Sequence, residues 1–180
     1  MKVVGINASP RENSNAEILL DKALKGAEDE GNEISKYTLE NINISPCMAC
    51  ETCATGLDCA RGDDCNTILD ELLEAEAIIF SSPIYYGQMS AQGKMFVDRL
   101  YSISRNPKKS IEGKDAILIF THGAPEGTYD QYIELTKASP FGYTGMEVFE
   151  VLDVGEVQEP GDVNSNQEAL DEAYDIGSSI

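Results

Sequence analysis

Four of the five cysteines, in the order Cys47-x2-Cys50-x2-Cys53-x5-Cys59, stand close enough along the chain to act on one object. Two-residue gaps let successive thiolates converge, and four thiolates satisfy a [4Fe-4S] centre. Zinc would also accept four thiolates, although its structural sites more often use two separated C-x2-C knuckles. A loop that carries these cysteines and holds no metal is a third reading. Cys65 follows Asp63-Asp64 where the chain turns toward a helix, and it reads as a small buried hydrophobe and the spare thiol. A secreted disulfide framework would spread its cysteines along a short chain, so confinement of all five between positions 47 and 65 points to metal binding or redox work.

Three other segments carry chemistry of a different kind. Ser9-Pro10-Arg11-Glu12-Asn13-Ser14-Asn15 leads into a helix start, where the hydroxyls of Ser9 and Ser14, the Asn15 amide, the Arg11 cation and free backbone N–H groups suit a terminal phosphate. Ser81-Ser82-Pro83-Ile84-Tyr85-Tyr86-Gly87 offers backbone groups to the edge of a flat heterocycle, a ring to cover it, and at Gly87 close approach. Thr121-His122-Gly123-Ala124 holds the only histidine. Each has a plainer use: Ser14 as a helix cap, Arg11 as a solvated cation, paired tyrosines as packing, His122 as a polar loop residue. Neither G-x-G-x-x-G nor G-x-x-x-x-G-K-[ST] occurs, which disfavours a dinucleotide fingerprint or an NTPase loop.

The elements that must position these segments alternate. Lys2 to Asn7, Glu33 to Leu39, Ala77 to Phe80, Ala116 to Phe120 and Met146 to Val154 read as strands. Between them, helices are expected after Ser14 (with Ala16, Leu19, Leu20, Ala23, Leu24 and Ala27 at helical spacing), after Asn66, after Ser90 and after Gly127. A last helix is expected from Asn164 to about Ile176. The cysteine segment, about 41–65, is a long loop after strand two. Five buried strands separated by helices require an α/β, doubly wound, five-stranded parallel sheet, for which the flavodoxin-like order 2-1-3-4-5 is the natural choice. That order sets the loops after strands one and three at the switch point.

One domain over 1–180 fits the length. Thirteen Lys and Arg against 32 Asp and Glu leave a net charge of −19, which repels nucleic acid and anionic membranes; adaptation to high salt is a second reading of it. The N-terminus has no signal-peptide pattern and no run of apolar residues is long enough to span a bilayer, so a cytoplasmic protein is expected. Arg105, Lys108, Lys109 and Lys114 form a local basic patch, read as a solvated loop.

The stretch GINASPRENSN, the block SSPIYYGQMSAQGKMFVDR and the cysteine segment together resemble the NADPH-dependent FMN reductase superfamily, in its iron-sulfur flavoprotein branch, over about residues 1–125. The resemblance implies FMN between the loops after strands one and three. Its phosphate would lie on Ser9, Arg11, Ser14 and Asn15, and its ring against Pro83, Ile84, Tyr85, Tyr86 and Gly87, with Thr121 and Gly123 nearby. It also implies a homodimer or homotetramer, ferredoxin or NAD(P)H as donor, and a small acceptor such as quinone, peroxide or oxygen. The reading that follows is an FMN-dependent oxidoreductase passing electrons between a [4Fe-4S] cluster on Cys47, Cys50, Cys53 and Cys59 and FMN, with no acid, base or nucleophile assigned. A cluster-free NAD(P)H-dependent FMN or quinone reductase and a non-enzymatic, flavodoxin-type carrier are the alternatives.

Overall fold

A computed structural model describes all residues, Met1–Ile180. The parallel strands β1 (Lys2–Asn7), β2 (Glu33–Thr38) and β3 (Ala77–Tyr85) are followed by a two-residue strand β4 (Gln88–Met89), then β5 (Asp115–Thr121) and β6 (Glu147–Val154). The sheet runs β2-β1-β3-β5-β6, with β4 pairing antiparallel to the end of β3. Among the parallel strands this is the expected 2-1-3-4-5 order, enlarged by the small hairpin.

Apolar residues alternate between two cores because successive strand side chains point to opposite faces. Val3, Ala77, Ile79, Ile117 and Ile119 pack with helices α1 (Asn15–Asp29) and α6 (Gln167–Ser178). Val4, Ile6, Ile78, Phe80, Leu118 and Phe120 face α2 (Cys65–Glu74), α3 (Ala91–Arg99), the single turn α4 (Tyr101–Ser104) and α5 (Asp130–Thr136). Helix α1 starts where its cap predicts: the Ser14 hydroxyl accepts the Glu17 N–H at 3.1 Å. The reciprocal half of a capping box is not made, since the Glu17 carboxylate pairs with Lys36 on β2. Ser90 caps α3 in the same way, accepting from Gly93 N–H at 3.0 Å.

Two boundaries differ from expectation. Helix α2 begins one residue before Asn66, with Asp64 at its cap position, because the Asn66 side chain is engaged elsewhere: it donates to the Cys59 carbonyl and accepts from Arg99. Strand β3 does not stop at Ser81-Ser82-Pro83. Its pairing with β1 ends at Ser81, but Ser82 and Pro83 continue beside β5, so Pro83 lies where one edge of β3 is open and its missing N–H leaves no ladder bond unmade on that side. The chain then reverses at Tyr86-Gly87, both with positive φ (50° and 78°), as a two-residue type I′ turn requires.

Helices α1 and α6 cross at backbone contact. A Cβ on Gly177 would lie 1.9 Å from the Ala23 carbonyl oxygen, and one on Gly26 would lie 2.2 Å from that of Tyr174. Helix propensity alone favours Ala over Gly by about 1 kcal/mol. Gly177→Ala is nonetheless expected to destabilise the protein by about 1–3 kcal/mol, because the backbone of α1 has to move. Urea unfolding of the variant measures it, and a gain in midpoint would show that propensity outweighs the clash.

Candidate functional site

At the carboxyl ends of β1, β3 and β5 a crevice of about 250 Å³ opens, lined by Ser9, Arg11, Ser14 and Asn15, by Pro83, Ile84 and Tyr85, and by Thr121, His122 and Gly123. The three loops singled out in the sequence therefore meet in one place. A fourth wall comes from the loop after β6, through Val157, Gln158 and Pro160, residues to which the sequence assigned no role. Tyr86 and Gly87 stand outside: they form the hairpin turn, and Tyr86 is fully exposed in an adjoining open groove with Lys94. Gly87 thus serves the turn, whereas close approach to a ligand was its expected use.

The hydrogen bonds decide which groups in the first loop are free to meet a ligand. The Ser9 hydroxyl accepts from Arg11 N–H and that of Ser14 from Glu17 N–H, so each retains its own proton to donate. The N–H groups of Asn15 and Ala16, in the first turn of α1, have no intrahelical acceptor. These hydroxyls and amides form a phosphate-sized donor set. The side chain of Asn15 is different. Its amide donates to the Glu159 carbonyl at 2.9 Å and its oxygen accepts from Val163 N–H at 3.1 Å, so it clamps the fourth loop in place and keeps one amide N–H to donate. Arg11 also reaches across, donating to the Gln158 carbonyl at 2.9 Å.

His122 is buried at the crevice wall, with Nδ1 2.9 Å from the Ala124 carbonyl and Nε2 2.9 Å from the Asp153 carboxylate. Its ring meets Tyr129 edge-on at 4.8 Å between centroids. Main-chain bonds from His122 N–H to Val154 and from Val157 N–H to His122 join the loops after β5 and β6. Tyr132 accepts from Met89 N–H at 2.7 Å and holds the hairpin against α5.

The cysteine segment lies elsewhere, at the carboxyl end of α3. Cys47, Cys50, Cys53 and Cys59 line one small pocket with Arg61, Arg99 and Tyr101. All five cysteines are free, and no three His, Cys, Asp or Glu side chains stand close enough together to hold a metal ion. Ala49 and Glu51 both have positive φ (51° and 59°), a conformation that costs a residue with a Cβ and that tightens the chain on either side of Cys50. A hydrogen-bond contact with the Thr52 hydroxyl lowers the Cys50 thiol from its ordinary value, while burial raises that of Cys53. Cys65, the first residue of α2, is fully buried in the core, and burial pushes its thiol up to about 12.

Beneath the pocket lies Arg99, with no exposed surface. It forms an ion pair with Asp63 at 2.7 Å and donates to the Ser45 carbonyl and the Asn66 side chain at 2.9 and 2.8 Å. Burial alone would raise the Asp63 carboxyl, but bonds from Arg99 and Ser45 N–H hold it below the usual carboxylate range. The Nε of Arg99 is buried without an acceptor. A buried cationic donor of that kind calls for an anion, and four thiolates carrying an iron-sulfur cluster are one, so the donor set and its surroundings fit the group although the thiols are not drawn together. Three of the four cations that precede β5 are engaged: Arg105 pairs with Glu51, Lys109 with Asp58 and Asp70, and Lys114 donates to the carbonyls of Leu73 and Ala75.

A doubly wound parallel sheet in this order, with a crevice at its switch point, is the flavodoxin-like class, and solved structures agree on the fold. An azoreductase from Bacillus anthracis superposes with a TM-score of 0.76 at 17% identity, covering 100% of both chains. An NAD(P)H:quinone oxidoreductase from Methanothermobacter marburgensis gives 0.74 at 18% identity, over 99% of this chain and 98% of that one. Residues 1–154 match the model of the NADPH-dependent FMN reductase family. An iron-sulfur flavoprotein of Archaeoglobus fulgidus is 33% identical over 100% of this chain and 79% of its own, and one of Methanocaldococcus jannaschii is 30% identical over 100% and 95%. The chain belongs to the NADPH-dependent FMN reductase family, in its iron-sulfur flavoprotein branch, and is an FMN-dependent oxidoreductase. No helix is long and apolar enough to cross a membrane.

Because Asn15 is buried and makes two bonds to the fourth loop, Asn15→Ala leaves the Val163 N–H and the Glu159 carbonyl unmatched. A loss of about 1–3 kcal/mol in urea unfolding is expected. Faster hydrogen exchange over 157–163 and weaker FMN binding by fluorescence titration should accompany it; unchanged exchange would show that Asn15 is not the clamp.

Proposed function

We propose that the protein carries electrons between a [4Fe-4S] cluster, held by Cys47, Cys50, Cys53 and Cys59, and FMN in the crevice. The observation that carries this reading is the pocket shared by four thiols with a buried cationic donor left unmatched. When bound, the cluster supplies a one-electron centre and FMN a centre that exchanges one or two electrons. The chain's own residues do the rest. Ser9, Ser14 and the first-turn amides of α1 fix the phosphate end, Arg11 adds positive charge at its rim, and Pro83, Ile84 and Tyr85 cover one side of the ring. Thr121, His122 and Gly123 meet it from the next strand. Tyr86 and Gly87 hold the turn that aims Tyr85 inward.

Helix α3 connects the two sites. Ser90 at its start donates to the Ala8 carbonyl, next to the phosphate loop, and Arg99 at its end forms the floor of the cysteine pocket. Nine residues at 1.5 Å each separate them by about 14 Å of helix. The spacing between sites is thereby set by a rigid element.

NAD(P)H is the donor this reading favours, with a quinone as acceptor and peroxide or oxygen as alternatives, in a homodimer or homotetramer working in the cytoplasm. A ferredoxin would meet a surface of net charge −19 whose nearest cations are already paired. The cluster-free NAD(P)H-dependent quinone reductase keeps support from one observation, the failure of the four thiols to converge on a metal-holding geometry.

Anaerobic purification followed by iron, sulfide and flavin analysis separates the two readings, with about four iron and four sulfide per FMN expected. Alanine at Cys47, Cys50, Cys53 or Cys59 should lower bound iron sharply while FMN stays, and Cys65→Ala should keep both. An iron-free protein that reduces quinone with NAD(P)H would establish the cluster-free reading. Iron lost from the Cys65 variant but not from the Cys59 variant would move the fourth ligand.

A further inference from the structure

Arg99 does more than tie the cysteine loop to the core. Its two terminal nitrogens are occupied by groups on both flanks of the cysteine run, Ser45 before Cys47, and Asp63 and Asn66 after Cys59. Arg99 lines the pocket together with the four thiols, and its Nε–H is buried without an acceptor. Of the other charged groups there, Arg61 is turned to the Pro46 carbonyl and bonds at the exposed rim, and Glu51 is bound to Tyr101 and Arg105 at the surface, where water screens both. Asp63, with a side chain only 4% exposed, balances Arg99 through Oδ2, and its Oδ1 is buried without a partner. Arg99 is therefore the one buried cation lining the cysteine pocket, in a low-dielectric position where a charge acts most strongly on its neighbours.

Resting on the cluster reading above, we propose that Arg99 sets the reduction potential of the cluster. Reduction adds one electron to the cluster and makes or breaks no bond, so the reduced state carries one more negative charge beside the guanidinium. A fixed buried cation with a free N–H donor favours that state and raises the potential. Asp63 opposes it in part, being an anion held in the same buried pair. Arg99 and Asp63 thus act with opposite signs, which a purely structural staple would not do.

The test is an anaerobic redox titration of the holoprotein with dithionite as reductant, read by the electron paramagnetic resonance of the reduced cluster. In Arg99→Gln the ratio of reduced to oxidised cluster, at the wild-type midpoint, should fall at least tenfold, which is 59 mV for a one-electron centre. Asp63→Asn should shift the midpoint the opposite way, and Arg99→Lys should lie nearer the wild type than Arg99→Gln. FMN content and circular dichroism report the fold of each variant. If Arg99→Gln loses its iron, Asp63→Asn decides alone: a rise in midpoint supports the role, and an unchanged or lowered one overturns it. Bound iron with unmoved midpoints would reject the role of Arg99 and leave the cluster reading standing, whereas a wild-type protein without iron would end both.

Discussion

Because β1 and β3 lie side by side while the chain leaves them toward opposite faces of the sheet, neither crossover covers their carboxyl ends. The gap that results is the crevice, and most other features of the molecule serve it. Helix α1 presents its first turn to the gap, capped by Ser14 and tied through the Ala16 carbonyl to the hydroxyl of Ser81, where β3 parts from β1. The hairpin after β3 extends one wall beyond the sheet. Even the near contact of α1 with α6, which tolerates no side chain at Gly26 or Gly177, keeps α1 pressed where its amino end is needed.

The second site obeys a different constraint, the cost of burying charge. Arg99 and Asp63 would each be expensive alone, and together they form a pair held by further hydrogen bonds to Ser45 and Asn66. Those bonds draw the two ends of an otherwise irregular loop to one point on α3. A segment with only a single short turn of helix, Thr52–Thr55, is in this way given a defined base. The positive-φ residues beside Cys50 then shape its tip.

Much of this was legible in the residues. The apolar spacing of Ala16 to Ala27 marks α1, continuous runs such as Ala77 to Phe80 mark buried parallel strands, and their alternation with helices leads to the strand order and so to the three loops of the crevice. The hairpin was not legible, because Pro83 reads as a strand breaker and is tolerated here only by an open edge that the sheet creates. Nor was Arg99: an arginine on a short amphipathic helix reads as exposed, and its burial depends on Asp63 and Ser45, far away in sequence. Asn66 looked like a helix cap, and its side chain is taken up by Cys59 and Arg99. An asparagine near a helix start suits several partners, and only the tertiary contacts choose among them.

The fourth wall of the crevice comes from residues far along the chain from the loop they meet. Arg11 meets Gln158, and Asn15 meets Glu159 and Val163, across separations of 147, 144 and 148 residues. Synthesis proceeds from the amino end, so a nascent chain that has already formed β1, α1 and β3 still presents an open groove. The groove gains its fourth wall only after translation has passed β6 and the loop has folded back over α1. The matched family model ends at residue 154, just short of that loop, whereas the iron-sulfur flavoprotein relatives align over the whole of this chain, so the fourth wall lies within the stretch these relatives share.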